Sequence, residues 1–118
     1  MQTRMSDRLD TQHWVGAYLR RCSVATIPAY VRFRGDGSRG SVILKIFHPP
    51  TALCRVLIEI TDPDGGAAWM IAGNDRSSEA EADAYIERAR KRDPDTWVIE
   101  IEDELERHPL DGRLVAAR

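Results

Sequence analysis

The string Gly35-Asp36-Gly37-Ser38-Arg39-Gly40 carries the glycine spacing of loops that wrap dinucleotide phosphates. In those loops the last glycine opens a helix, whose N-terminal amides meet the pyrophosphate. Here an apolar run, residues 41–47, follows instead and reads as a strand, so the string is expected to be a glycine-rich hairpin. A kinase-type glycine loop does precede a strand lysine, but the chain is too short for the catalytic and metal-binding parts of such a domain. Pro63-Asp64 resembles half of a metal-dependent nuclease motif, and no Asp/Glu-x-Lys follows it. The start of a helix at Ser78, preceded by Gly73, could meet an anion as acetyltransferase loops do, with a single glycine to help. Asp62 and Asp64 begin like a calcium loop, yet glycine stands at 73 where its bidentate glutamate belongs. His13, His48 and His108 lack metal-ligand spacing to each other or to Cys22 and Cys54, so no metal and no cofactor is expected. No Gly-x-Ser-x-Gly elbow occurs, and no catalytic residue is assigned.

Basic side chains give a different candidate. Strand alternation would set Tyr30, Arg32, Arg34, Lys45 and Arg55 on one sheet face, cations beside an aromatic ring. Single-stranded nucleic acid binds such faces through phosphate pairing and base stacking, and a protein partner could dock there too. One aromatic ring and an isoelectric point near 5.9 weigh toward a simple solvated face. Arg20 and Arg21, at the end of a first helix, complete the candidate binding residues.

The elements that must position these groups follow from hydrophobic periodicity. Asp10 or Thr11 caps a first helix whose Trp14, Val15, Tyr18, Leu19 and Cys22 form one apolar stripe. Four strands are then expected: one opened by Pro28, with Val31 and Phe33 alternating against Tyr30, Arg32 and Arg34; residues 41–47; residues 53–60; and one around Trp69 and Ile71. Short connections, including Asp62-Pro63-Asp64-Gly65-Gly66, suggest an antiparallel meander. Ser78 and Glu81 make a capping box for a second helix, which stops at Asp93-Pro94. Trp97, Ile99 and Ile101 alternate with Val98, Glu100 and Glu102 in a fifth strand. The expected fold is α+β: N-terminal helix, four-stranded antiparallel meander, second helix and fifth strand in a two-layer sandwich. A mobile tail is expected over 104–118, with a turn at Asp111-Gly112.

Length and composition bound the rest. A chain of 118 residues, 42% hydrophobic and 31% charged, has the size and composition of one globular domain, with an ordered core over about 8–111. Its net charge of −2 hides +5 over residues 1–60 and −7 over 61–118. No secretory leader or bilayer-length apolar run is found, and two cysteines in apolar patterns read as reduced thiols, so a cytoplasmic location is expected.

Three stretches together resemble a known family: Arg8-Leu9-Asp10-Thr11-Gln12-His13-Trp14 running into Leu19-Arg20-Arg21-Cys22, then Asp62-Pro63-Asp64-Gly65-Gly66 with Trp69, then Trp97-Val98-Ile99-Glu100-Ile101-Glu102-Asp103. The chain is similar over about 8–111 to the alphaproteobacterial family called domain of unknown function fourteen ninety-one. The resemblance implies a bacterial protein and brings no catalytic residue, cofactor or partner with it. The function expected is therefore a small, cytoplasmic, non-enzymatic binding or interaction domain docking through the basic sheet face. The alternative is a small enzyme or a nucleotide- or phosphate-binding domain using the 35–40 loop or the Ser78 helix start. Homo-oligomerisation through an uncovered sheet face bearing Ile43 and Phe47 is a further expectation.

Overall fold

The computed structural model describes residues 10–61, 67–107 and 113–115. In chain order these form α1 (Thr11–Val24), β1 (Ala29–Phe33), β2 (Val42–His48), β3 (Leu53–Thr61), β4 (Ala67–Ile71), β5 (Ser77–Ser78), α2 (Glu79–Arg92), β6 (Trp97–Glu102) and β7 (Arg113–Val115). The α+β class and both helices agree with the sequence reading. Asp10 is the N-cap of α1, its carboxylate accepting from the His13 amide at 3.1 Å. Ser78 and Glu81 close the expected capping box reciprocally, at 2.9 and 3.1 Å.

The sheet order is β1-β6-β2-β3-β4-β7, with β5 paired to β3. A meander survives only over β2, β3 and β4; β6 inserts between β1 and β2, antiparallel to the first and parallel to the second. Local pattern cannot reveal this, because β1 and β2 are each complete strands whose shared partner lies 65 to 72 residues downstream of the first and 55 downstream of the second. The loop over 35–40 is therefore a crossover, not a hairpin. β7, parallel to β4, places a strand inside the stretch expected to be a mobile tail. The turns at 62–66 and 111–112 lie outside the described residues.

Alternation along the central strands serves two cores. Leu44, Ile46, Leu57, Ile99 and Ile101 pack with Val15, Tyr18 and Cys22 of α1. Ile43, Val56 and Val98 pack with Ala82, Ile86 and Ala89 of α2. The helices thus lie on opposite faces, giving three layers in place of the expected two. Ile43 is 4% exposed beneath α2 and Phe47 packs against the same cluster, so the face expected to join copies of the chain is already covered. Each fully buried Leu or Ile contributes about 2 kcal/mol. No helix among the described residues is long and apolar enough to cross a membrane.

Candidate binding groove between β1 and α2

β1 is an edge strand with an irregularity that decides where its side chains point. Val31 pairs with Ile99 and Phe33 with Val98, so two steps on β1 match one on β6 and Arg32 is the extra residue of a β-bulge. Val31 packs into the α1 core as alternation requires. Beyond it the bulge turns both Arg32 and Phe33 toward the α2 side, overturning the expectation that Val31 and Phe33 share a face. Phe33 remains 37% exposed, with the Arg32 guanidinium 5.4 Å and the Arg90 guanidinium 4.6 Å from its ring centre.

These residues line an open groove of about 450 Å³ together with Asp83, Ile86, Glu87 and Lys91. The α2 contributors recur at 83, 86, 87, 90 and 91, one face of a helix. That spacing was present in the sequence. Arg90 and Lys91, however, are also last-turn cations of the kind that favour a helix C-terminus, and Phe33 alternates with Val31 in the sequence, so local pattern does not distinguish a groove.

One end of the groove is fixed by an ionic cluster. Lys45, 1% exposed, donates to Glu79 and Asp83, both at 2.9 Å, and lies 3.5 Å from Glu100. Arg32 donates to Asp83 at 2.6 Å and lies 3.5 Å from Glu100. The carboxylates gather around the chain's own ammonium; no group of metal-ligating residues occurs among the described residues. Burial pulls the Lys45 pKa down, but its hydrogen bonds to Asp83 and Glu79 and the nearby Glu100 charge outweigh it and raise the net value. Burial likewise pushes Asp83 up, while Arg32 and Lys45 together hold it below the ordinary carboxylate value.

Arg90 is positioned differently. Its Nε donates to the Thr96 carbonyl at 3.3 Å, and its Nη2 to the carbonyls of Arg34 and Pro94 at 3.4 and 3.5 Å. Among the described residues it has no carboxylate partner, whereas Arg32 has two.

The sequence-predicted residues are dispersed. Tyr30 and Arg32 lie on the α2 side at the β1 edge, with Tyr30, 54% exposed, facing Glu100 across the ladder. Lys45 belongs to the same face but is buried. Arg34 leaves the strand and stacks on Trp97, 4.9 Å from its ring centre. Arg55 sits opposite Ile46, hence on the α1 side, paired with Asp75 at 3.3 Å. Arg20 and Arg21 are exposed on α1. A single basic sheet face over all these residues does not form, because register separates Arg55 from Lys45 and burial removes Lys45.

The two anion cradles of the alternative reading, the 35–40 loop and the Ser78 helix start, are occupied from within. The Asp36 carboxylate accepts from the amides of Ser38 and Arg39 at 3.1 and 2.7 Å, and the Asp36 amide donates to the Asp95 carbonyl at 2.9 Å. An incoming phosphate would have to displace that carboxylate. At the start of α2, Glu79 and Glu81 place negative charge in the first turn and Ser78 takes the Glu81 amide. His13 is engaged with Asp10 and His48 with Thr51, each at 2.7 Å; His108, Asp62 and Asp64 lie outside the described residues.

Comparison with known proteins gives a consistent result. The crystal structure of a Caulobacter crescentus CB15 protein matches with TM-score 0.85 and 37% identity, covering 92% of this chain and all of that one. An NMR structure from the same organism matches at 0.80 and 37%, covering 91% and 96%. The solution structure of protein Atu0922 from A. tumefaciens shares the fold at TM-score 0.70 and 22% identity, over 81% and 86%. None of the curated proteins compared with the chain matches it. The model of a family described as protein of unknown function, DUF1491, matches residues 9–111, and both Caulobacter structures are of that family. The chain belongs to the DUF1491 family.

Proposed function

We propose that this domain is a small binding module that docks a polypeptide partner in the groove between β1 and α2. The observation that carries the reading is Phe33, a part-exposed aromatic ring turned outward by the bulge, with two guanidiniums within 5.4 Å of its centre, on the wall of that groove. Aromatic and arginine side chains are the residues that most often anchor protein interfaces. The groove has an apolar floor, Phe33 and Ile86, and a charged rim of both signs, the division expected of a docking surface. Glu87, exposed on that rim, would repel a polyanion, which favours a polypeptide over nucleic acid. A cytoplasmic setting accords with Cys22 and Cys54, buried as thiols on opposite faces of the sheet and so unable to pair with each other.

The test is an amide-resonance titration with three probes: a capped heptapeptide with a Leu-Glu-Leu centre and Gly/Ser flanks, its Gln-for-Glu counterpart, and an oligodeoxythymidylate. The expected result is peptide-induced shifts at Arg32, Phe33, Ile86 and Arg90, weakened roughly tenfold by Phe33→Ala. The reading fails if neither peptide moves these resonances. It also fails if the oligonucleotide alone moves them, with an affinity that falls steeply with salt.

A further inference from the structure

Resting on that reading, we infer that the groove is a receptor for an acidic segment, in which Arg90 takes a carboxylate while a neighbouring apolar side chain lies over Phe33 and Ile86. The two guanidiniums beside Phe33 differ in what they have left to give. Arg32 is spent: it holds Asp83 at 2.6 Å and Glu100 at 3.5 Å, in the cluster that also contains Lys45. Arg90 meets only backbone carbonyls, through Nε and Nη2. Carbonyl dipoles fix its orientation without cancelling its charge. Its Nη1 makes no hydrogen bond among the described residues, and one face of its plane is covered by the Phe33 ring at 4.6 Å. A guanidinium locked in place, with unused donor capacity at the mouth of a groove, is preorganised for a charge-assisted bond, since its ordering cost has been met in folding. The exposed Lys91 ammonium on the same helix face adds a second positive charge beside it.

The carboxylates of the groove define the ligand further. Asp83 is neutralised by Arg32 and Lys45, but Glu87 stands exposed one turn from Arg90. A densely charged chain would meet Glu87 as well as Arg90. A segment with one acidic residue flanked by apolar ones satisfies Arg90, fills the floor and avoids that repulsion. The occupant is thus a polypeptide stretch with a single acidic residue set between apolar ones, free to lie extended beside the edge strand.

The experiment compares the Leu-Glu and Leu-Gln heptapeptides on wild type, Arg90→Gln and Arg90→Lys, each variant first checked for a native amide spectrum. Wild type is expected to bind the Glu peptide about tenfold tighter than the Gln peptide, the value of one charge-assisted bond. Arg90→Gln should bind both equally, and Arg90→Lys should recover part of the preference. Equal binding of both peptides by wild type, or a preference that survives Arg90→Gln, overturns the carboxylate assignment while leaving the groove as a docking site. Failure of both peptides to move the groove resonances overturns the groove reading, and the assignment with it.

Discussion

Lys45 sits in the middle of a sheet with its ammonium shared among three carboxylates, and its contribution depends on what remains when it is removed. A buried charge cluster replaced whole by apolar groups costs little, whereas deleting one partner leaves uncompensated charge and costs about 3–5 kcal/mol. Here the remaining groups are unequally stranded. Glu79 is half exposed and rehydrates, and Asp83 keeps Arg32, but Glu100 is only 15% exposed and keeps Arg32 at 3.5 Å. Lys45→Met is therefore expected to lose about 2–3 kcal/mol in urea denaturation, somewhat less than a fully buried pair. Adding Glu100→Gln should return part of that loss, so that the double variant is more stable than the sum of the singles; strict additivity would show that Glu100 does not feel Lys45. The same cluster sets an acid limit. The folded pKa of Asp83 lies below its ordinary 3.8, so its stabilisation is present above that value and disappears as pH falls through the folded one. Lys45 is shifted the other way, so its share holds below 10.5 and is lost only as pH rises through its folded value. Urea midpoints measured from neutral pH down to about 2 should fall less steeply for Asp83→Asn than for wild type. Parallel curves would remove Asp83 from the acid response.

At the level of elements, the crossover between β1 and β2 is the join on which the sheet order depends. Because β6 runs between those strands, the 35–40 loop must lie against the start of β6, and its glycines make that approach possible. A Cβ on Gly35 would stand 2.0 Å from the Asp95 carbonyl oxygen and 2.6 Å from Trp97 Cδ1; on Gly40 it would meet the same oxygen at 2.2 Å. Both clashes are with backbone or a core ring, so Gly35→Ala is expected to cost about 3 kcal/mol, lowering the melting temperature by roughly 10 °C. Gly37 would meet only the far end of Gln12, and Gly37→Ala should be nearly silent; equal melting points for the two variants would contradict the packing described. The glycine spacing was plain in the sequence, but its meaning was not, because glycine's use in approaching a phosphate and its use in approaching another strand leave the same string. The strands β2, β3, β4 and β6 and both helices were legible, since caps, apolar stripes and alternation are local signals. The insertion of β6 was not, being a choice among pairings that local pattern leaves equivalent. Nor was the bulge at Arg32, which alternation alone would never place and which moves Phe33 off the face it was expected to share with Val31 and into the groove. Most of the candidate site was lost to that one extra residue, together with α2 charges whose spacing fits a helix dipole as well as a binding face.

For the whole molecule, the three-layer arrangement raises the question whether the two cores unfold together. They share the sheet, and every central strand gives alternate side chains to each, so the loss of one layer strips cover from residues whose backbone the other layer needs. The cysteines report on the layers separately: Cys22, 1% exposed, is on the buried face of α1, and Cys54, fully buried, lies on the α2 side of the sheet. Burial pushes both thiols up, Cys54 to about 11 with the nearby carboxylates adding to the effect and Lys45 opposing it, so neither is reactive while folded. Labelling with iodoacetamide in sub-denaturing urea, read by mass spectrometry of each cysteine's peptide, measures the opening of each layer directly. If the sheet couples the layers, both thiols should show the same opening free energy and the same urea dependence, equal to those of global unfolding by circular dichroism. The terminal α1 layer is anchored by Trp14, stacked on Tyr18 and Trp69 with ring centres 5.3 and 5.8 Å apart, while α2 is anchored by the Lys45 cluster. These anchors differ in kind, and Lys45→Met weakens only one of them. In that variant a cooperative molecule lowers the protection of both cysteines equally, whereas faster labelling confined to Cys54 would mean that α2 opens alone, and with it the wall that carries Arg90.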